Sequence, residues 1–422
     1  MPNFAAVNKE YVFCKGARTK VASLLLVAIS AATSTYASNT GANSADSTDA
    51  PTARFDYSLS AITEGQWNMT TGRGAWANRL DASLGIRLWR GARLEAGILS
   101  TWQPTDYIAE VCQDFSNINA PSRPLRLVHF GLQQHFIDNK LGVFVGLRQA
   151  DEDYFNTPMA GLSTGASCGC VPTVNDNFHI NVFPLTALGL HITYTPTPQW
   201  LVQTTLYNGN AYDTLDRSFR FRPHADGIIN LGSVSYTREG AHADDFSATY
   251  LVGWNFGNHY REATQHRHPQ VGFWATVEQP LVKVGRVGLA AAATVSHQFK
   301  DPEVAVGYWN GTLAANNLTR RGGTLALVLN RAYYNDAHET DTELTFAMPL
   351  GQYFTLQPAI HHYSTSGHAA QSIVADAGLF LCLQVGGEVK QTFDLFGSVI
   401  KKLQKAAVRK IHCIYSSLCA KI

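Results

Sequence analysis

Apolar and polar residues alternate along most of the chain after residue 53. The clearest runs are residues 80–88, 128–133, 202–207 and 343–348. Because successive side chains of a strand point to opposite faces, this period of two predicts strands with one apolar and one polar face. A strand between lipid and a water-filled lumen needs both faces, and a strand of a soluble sandwich has them too. The alternation therefore predicts an all-β protein and leaves open whether its sheet closes.

The lengths of the connections favour a barrel over a sandwich. We predict about sixteen strands, near residues 55–64, 78–89, 91–101, 124–136, 141–149, 187–195, 199–208, 225–237, 246–256, 270–279, 286–297, 303–310, 323–333, 340–348, 353–363 and 373–385. The connections 65–77, 102–123 and 150–186 are long, whereas Arg90 and 137–140 are short. Outer-membrane barrels have long external loops and short periplasmic turns, and a sandwich has no reason to sort its loops by length.

We therefore predict a transmembrane antiparallel β-barrel over residues 54–385, with both of its ends on the periplasmic side. The sorting weakens after residue 299, where the predicted connection 311–322 is long although a short one is expected.

The beginning of the chain predicts export. Four basic residues precede an apolar run at residues 21–32, and small residues occupy 33–37. A run of about 12 residues is too short to cross a membrane as a helix, whereas it is typical of a signal peptide. We expect residues 1–37 to be a signal peptide cleaved before Ser38. Residues 38–53 are rich in Ser, Thr, Asn, Asp and Ala and predict a disordered lead-in.

Composition excludes some partners. The chain has 33 Lys and Arg against 32 Asp and Glu, so a general preference for nucleic acid is not indicated. Only 15% of its residues are charged, below the usual quarter of a soluble chain. Neither a phosphate-binding Gly-rich loop nor a paired-Cys zinc motif is present in the sequence. We expect no nucleic acid partner and no cofactor.

Several residues are candidates for lining the lumen. If the first strand runs outward, residues 150–186 form the third external loop, the one that most often folds inward in a porin. Near the outer half of the lumen, the alternation places Arg79, Asp81, Arg148 and Glu343. Charges of both signs set a transverse field, and an Arg guanidinium matches adjacent sugar hydroxyls. Arg87, Arg93 and Glu95 are expected nearer the periplasm.

Tyr154 and Phe155, at the start of the longest loop, are expected to stack against a sugar face. The alternative for each lumen candidate is a hydrated group with no selective role.

Two patterns that suggest catalysis or metal binding are set aside. Residues 161–165 match G-x-S-x-G, but this motif acts on a strand-to-helix turn over an α/β sheet, and here it lies in a predicted loop. His259, His266 and His268 are expected in one exposed external loop without a recognised ligand spacing. We therefore expect neither a catalytic site nor a metal site.

The seven cysteines leave two alternatives open. An oxidising compartment permits disulfides, so Cys112 could pair with Cys168 or Cys170 and join two external loops. Free thiols are the other alternative.

Residues 127–208 resemble the carbohydrate-selective porin family, of the OprB type. The similarity is carried by residues 141–148, by 152–155 with 156–162, by 184–189 and by 207–209. Further similar blocks are 219–230, 339–346 and 354–358. The resemblance covers roughly residues 54–385. It implies a sixteen-stranded barrel through which mono- or oligosaccharides diffuse, with Arg and aromatic side chains near the constriction.

Within this resemblance, Arg148 is the first residue to carry over, because it ends the strand before the inward loop. Sugars and outer-membrane lipid are the expected partners, and both a monomer and a homotrimer remain open. The alternatives to a sugar porin are a non-selective porin, an outer-membrane barrel enzyme and a soluble periplasmic sugar-binding protein.

The final segment departs from the family pattern. Barrels of this class usually end on their last strand, yet residues 386–422 follow the predicted one and contain Lys401, Lys402, Lys405, Arg409 and Lys410. This segment is either a basic amphipathic helix at the inner leaflet or non-native sequence.

Overall fold

The computed structural model describes residues 55–103, 107–109, 111–178, 180–242, 244–261, 266–335, 337–367 and 378–393. The predicted signal peptide, the lead-in and the part of the final segment beyond residue 393 lie outside the described residues.

Sixteen antiparallel strands form one closed barrel in which each strand pairs with its neighbours in the chain. The strands are β1 Phe55–Asn68, β2 Gly74–Trp89, β3 Ala92–Trp102, β4 Arg123–Phe136, β5 Leu141–Arg148, β6 Ala187–Tyr194, β7 Trp200–Asn208, β8 Gly227–Arg238, β9 Ala248–Arg261, β10 His266–Val284, β11 Val287–Lys300, β12 Ala305–Asn316, β13 Thr324–Tyr334, β14 Ala337–Leu350, β15 Phe354–Gly367 and β16 Gly378–Phe393. The barrel closes where β1 pairs with β16, from Phe55 opposite Phe393 to Asn68 opposite Phe380. The predicted all-β, sixteen-stranded transmembrane barrel is confirmed.

The helices in the described residues are single turns within connections. They are α1 Asp151–Tyr154, α2 Ala166–Gly169, α3 Pro172–Asn175, α4 Leu215–Ser218 and α5 Pro223–Asp226, with a 3-10 turn at Ala160–Leu162. Within the described part of the chain, we find no helix with the length and apolar character needed to cross a membrane.

The register aligns apolar residues into a continuous outer row. Leu313, Leu327, Leu344, Ile360 and Leu381 lie opposite one another on β12 to β16. Four of these side chains are exposed, and Ile360 is half-buried. The adjacent inward row on the same strands is buried and contains Glu343 and His361, which pair in register. The predicted alternation thus becomes a lipid-facing wall and a polar lumen wall.

Exposed aromatic side chains mark both rims of the barrel. Trp89, Phe136, Tyr194, Trp200 and Tyr353 lie at the rim with the short turns. Trp67, Trp76, Trp102, Phe299 and Tyr333 lie at the rim with the long loops. Such girdles are placed at the two membrane interfaces, where an amphipathic ring contacts both lipid and water.

Several loops differ from the sequence prediction, and the predicted long connection 311–322 is reduced to residues 317–323. The first external connection is not the long loop 65–77, because β1 continues to Asn68, β2 resumes at Gly74, and Trp67 pairs with Gly74. The three histidines also do not share a loop, because His259 lies on β9 opposite His268 on β10. At each of these places the strands continue to pair beyond the lipid-facing apolar band. Their side chains no longer alternate between apolar and polar there, so the sequence pattern does not indicate the additional strand residues.

The last strand also runs further than predicted. Although residues 386–422 are expected to follow the barrel, β16 continues to Phe393 and pairs with the start of β1, for example Glu388 opposite Ser60. The glycine pair at 386–387 interrupts the apolar alternation and hides this continuation in the sequence.

The outer row yields a stability prediction. We expect Leu327→Arg to lower the free energy of unfolding by roughly 2–4 kcal/mol, because it places a charge in the lipid-facing band. The matched control is Ser58→Arg, whose side chain faces the lumen cavity. Denaturant unfolding from lipid vesicles measures both. Equal costs for the two variants would contradict the assignment of faces.

Candidate functional site

The connection between β5 and β6 crosses the lumen. This segment, called L3, comprises residues 149–186, of which residue 179 is not described. The amide of Met159 donates to Glu278 on β10 at 2.9 Å, and the side-chain amide of Asn177 donates to the carbonyl of Ala305 on β12. These partners belong to strands on the far side of the barrel from β5. L3 is therefore the inward loop that the sequence predicts.

Inward carboxylates of the wall hold L3 in place. Glu343 on β14 accepts hydrogen bonds from the hydroxyl of Ser163, from the amide of Thr164 at 2.9 Å and from the hydroxyl of Thr164 at 3.1 Å. Hydrogen bonds to a carboxylate are stronger than neutral ones, and a buried carboxylate without partners is strongly destabilising. Glu343 therefore fixes the middle of L3 against the wall.

A second loop also enters the barrel. This segment, called L2, is the β3–β4 connection, residues 103–122, of which residues 104–106 and 110 are not described. The amides of Cys112 and Gln113 donate to Glu339 on β14 at 3.0 and 2.7 Å. L2 also bonds L3, since the amide of Asn117 donates to the carbonyl of Thr164 at 2.6 Å.

Only the inward folding of L3 is predicted from the sequence. The signal for L2 is its apolar content, because Ile108, Phe115 and Ile118 are unusual in a water-exposed loop and are all buried in the structure.

Beneath L3, His361 lies between the carboxylates of Asp341 and Glu343. His361 lies with Nδ1 3.1 Å from Oδ2 of Asp341 and with Nε2 2.8 Å from the hydroxyl of Thr164. Asp341, Glu343 and His361 are the group among the described residues whose donor atoms lie close enough together to hold a metal ion. Thr164 already bonds both Glu343 and His361, so the arrangement anchors the loop.

L2 and L3 leave a polar cavity along the opposite wall. Its volume is about 500 Å³, and its lining includes His129 and the charged side chains of Arg79, Asp81, Arg93, Glu95, Glu152 and Glu388. Arg79 binds both oxygens of Asp81, at 2.7 and 3.0 Å. Glu95 forms an ion pair with Arg93 at 3.2 Å and lies 2.9 Å from His129. Ser58 and Ser60 add hydroxyl groups. The cavity thus presents donors and acceptors of both charge signs.

Four of the nine lumen candidates lie in this cavity, namely Arg79, Asp81, Arg93 and Glu95. Arg148 lies beside it, where its guanidinium is paired with Asp153 and lies 5.1 Å from the ring of Phe144. Through its ion pair with Asp153, Arg148 holds α1 in place, and α1 positions Glu152 in the cavity.

Three further candidates, Glu343, Tyr154 and Phe155, are covered by protein. Glu343 is completely buried beneath L3. Tyr154 is 1% exposed and its hydroxyl lies 2.6 Å from that of Thr205, while Phe155 is 5% exposed and packs on Trp274. Because their faces contact the barrel wall, neither ring is available to stack on a sugar in this arrangement.

Sequence reasoning did not assign Glu152 and His129. The sequence feature that could have identified Glu152 is its position in the block 152–155, which carries the family resemblance. His129 sits beside a β-bulge at Val128, since Gly97 pairs with His129 and Ile98 pairs with Leu127. The bulge adds one residue to β4 and none to β3, so Val128 does not follow the alternation of the residues around it.

The described cysteines Cys112, Cys168, Cys170 and Cys382 are free thiols. The structure therefore has no disulfide between Cys112 and either Cys168 or Cys170. Cys112 packs against the apolar cluster that contains Cys170. Burial raises the pKa of the Cys112 and Cys168 thiols to about 12, which disfavours the reactive thiolate form.

A closed barrel with an apolar band, aromatic girdles and inward loops over a polar lumen defines the class of outer-membrane porins. The model of the OprB carbohydrate-selective porin family matches residues 103–371, more than half of the chain. The chain belongs to this family and is a carbohydrate porin of the bacterial outer membrane. The family and the fold are those of a channel rather than an enzyme.

Solved structures show the same fold. The high-pH structure of Pseudomonas putida OprB has a TM-score of 0.68 at 14% identity, covering 80% of this chain and 94% of that one. The low-pH structure of the same protein has a TM-score of 0.53 at 14% identity, with coverages of 80% and 93%. A comparison with curated protein sequences gave no match.

The carboxylate anchor can be tested by releasing L3. We expect Glu343→Ala to raise single-channel conductance and current noise and to expose L3 to protease, because it removes hydrogen bonds worth roughly 1.5–3 kcal/mol each. Planar-bilayer recording and limited proteolysis measure these effects. Glu239→Ala, an exposed charge on the β8–β9 turn, is the control. Unchanged conductance and protection in Glu343→Ala would contradict the anchoring role.

L2 yields a pH prediction. Burial and the nearby Glu64 carboxylate raise the pKa of Asp114 to about 7, although Ser116 and Asn119 donate to it. A carboxyl with a raised folded-state pKa binds more protons when folded, so its stabilising contribution is present below about pH 3.9 and is lost as the pH rises through 7. We expect the melting temperature to fall as the pH rises from about 4 to 7, and to fall less in Asp114→Asn. Equal pH slopes for both proteins would refute this role.

Proposed function

We propose that the cavity between L3 and strands β1–β4 is where this porin recognises a permeating sugar. Its volume of about 500 Å³ lies within the range of small-molecule sites, about 300–1,000 Å³. The observation that carries the proposal is the pairing of Arg79 with Asp81 and of Glu95 with Arg93 and His129 on one lumen wall.

The chemistry of these groups suits a neutral, hydroxyl-rich solute. An Arg guanidinium donates from a planar fork to adjacent hydroxyls, and carboxylates accept from them. The charges of the wall are mostly paired with one another. A neutral sugar can therefore replace its hydrogen bonds to water with hydrogen bonds to the wall at little cost in free energy. Such binding is weak enough for the solute to leave again, so the sugar can diffuse through the channel down its concentration gradient.

We assign the predicted site residues two different roles within this proposal. Arg79 and Asp81 contact the solute, together with Glu152 and His129. Arg148 positions Glu152 through its ion pair with Asp153, at the end of the strand that leads into L3. Tyr154, Phe155 and Glu343 hold L3 on the wall and so set the width of the passage.

The test is sugar block in planar bilayers. We expect stepwise conductance that falls as glucose or a maltooligosaccharide is added. Arg79→Gln combined with Asp81→Asn should raise the half-blocking sugar concentration about tenfold, because it weakens hydrogen bonds to charged groups worth roughly 1.5–3 kcal/mol. Arg148→Ala should weaken block more than it changes open conductance.

Lys140→Gln, at an exposed residue of the β4–β5 turn, is the matched control and should leave block unchanged. Channels that no sugar affects would instead support a non-selective porin. Folded protein that forms no channels at all would contradict the proposal.

A further inference from the structure

The connection between β7 and β8 lies against the outer face of the barrel. This segment, called L4, comprises residues 209–226 and includes α4 and α5. The rings of Phe219 and Phe130 form an edge-to-face contact with centroids 6.1 Å apart. Phe130 is an exposed residue of β4 that follows His129, which lines the lumen cavity. Part of L4 therefore covers the lipid-facing side of the wall.

L4 is fixed in this position by polar contacts. Asp213 pairs with both Arg123 and Arg126 of β4. The nearly buried Arg126 also donates to the carbonyl of Tyr212 at 2.7 Å. At the other end, the amide of Arg222 donates to the side chain of Asn208 at 2.8 Å. L4 is thus a built part of the rim.

The barrel wall beneath L4 is low. Strands β5, β6 and β7 have 8, 8 and 9 residues, whereas most other strands are longer. At about 3.3 Å per residue and a tilt near 40°, they rise roughly 20–23 Å, below the apolar band of about 25 Å. Phe130 pairs with Leu147 close to the end of β5, so Phe219 contacts the wall within the apolar band, and L4 continues above the ends of the short strands towards the headgroups.

The exposed surface of L4 combines the two chemistries of that interface. Leu215, Phe219 and Phe221 are 59%, 42% and 46% exposed. The exposed arginines Arg217 and Arg220 lie between them, and the exposed Arg222 follows Phe221. Arg220 forms a surface pair with Asp216 at 3.4 Å, and neither Arg217 nor Arg222 forms an ion pair with any described residue. Apolar side chains among arginines are typical of a segment that binds anionic lipid headgroups.

We propose that L4 binds the phosphate groups of the glycolipid in the outer leaflet, with its apolar side chains among the acyl chains. Guanidinium groups bind phosphate through two parallel hydrogen bonds, which favours them over ammonium groups at such a site. The bound lipid completes the outer surface where the strands are short. This lipid contact is separate from the sugar path, because L4 contributes no residue to the lumen cavity.

The experiment measures lipid A binding to the folded full chain in detergent micelles. Native mass spectrometry titrates bis-phosphorylated lipid A and its dephosphorylated form against each protein. We expect the triple variant R217Q/R220Q/R222Q to bind bis-phosphorylated lipid A about tenfold or more weakly than the unchanged chain. The control variant R320Q/R321Q removes exposed arginines from the β12–β13 turn at the opposite rim, and should bind as the unchanged chain does.

Equal affinity of the triple variant and the unchanged chain would overturn the proposal. So would equal binding of the two lipid A forms to the unchanged chain, since phosphate would then not be recognised. An oligomer that the triple variant dissociates, without a change in lipid binding, would assign L4 to contact with a second copy and also overturn it. Heat-modifiable migration verifies folding of each variant, and unchanged sugar block in the triple variant separates this test from that of the sugar path.

Discussion

Backbone hydrogen bonding in lipid is the constraint on which this structure depends. The hydrocarbon core offers no water to an unpaired N–H or C=O group, so a sheet can cross it only without free edges. Pairing of β1 with β16 along the whole of β1 removes the last edge. Once the ladder is closed, every strand must direct alternate side chains outward and inward, which places Leu327 and Leu344 towards lipid and Glu343 towards the lumen.

The same closure creates a polar interior that the chain then partly fills. Carboxylates on β10 and β14 would be strongly destabilising if they were buried alone. L2 and L3 supply backbone amides and hydroxyls to them, and each loop also hydrogen-bonds the other. The filled side of the lumen therefore extends from β7 to β16. The remaining passage runs along β1 to β4, where paired charges and serine hydroxyls face the cavity.

Much of the architecture follows from local pattern. The strand number and the outward leucines are predicted from alternation and connection length, and the structure confirms them. The inward folding of the longest loop is predicted from the resemblance to porins and is also confirmed. Strand ends are predicted less well, because β1 and β2 continue beyond the apolar band to Asn68 and Gly74. The site is predicted in part: Arg79 and Asp81 face the cavity, whereas Tyr154 and Phe155 are buried against wall residues that no local pattern connects to them.

By itself, the sequence determined which face most strand residues occupy, because a strand repeats every two residues whatever it pairs with. Only the pairing with β3 shows the bulge that places Val128 in the lumen cavity. Tertiary structure alone decided what L3 and L2 contact. Glu278 lies 119 residues from Met159, and Glu343 lies 179 residues from Thr164, so only the closed barrel brings these groups together. The position of Glu152 in the cavity has the same origin, since α1 is fixed through Arg148 only after L3 has packed on the wall.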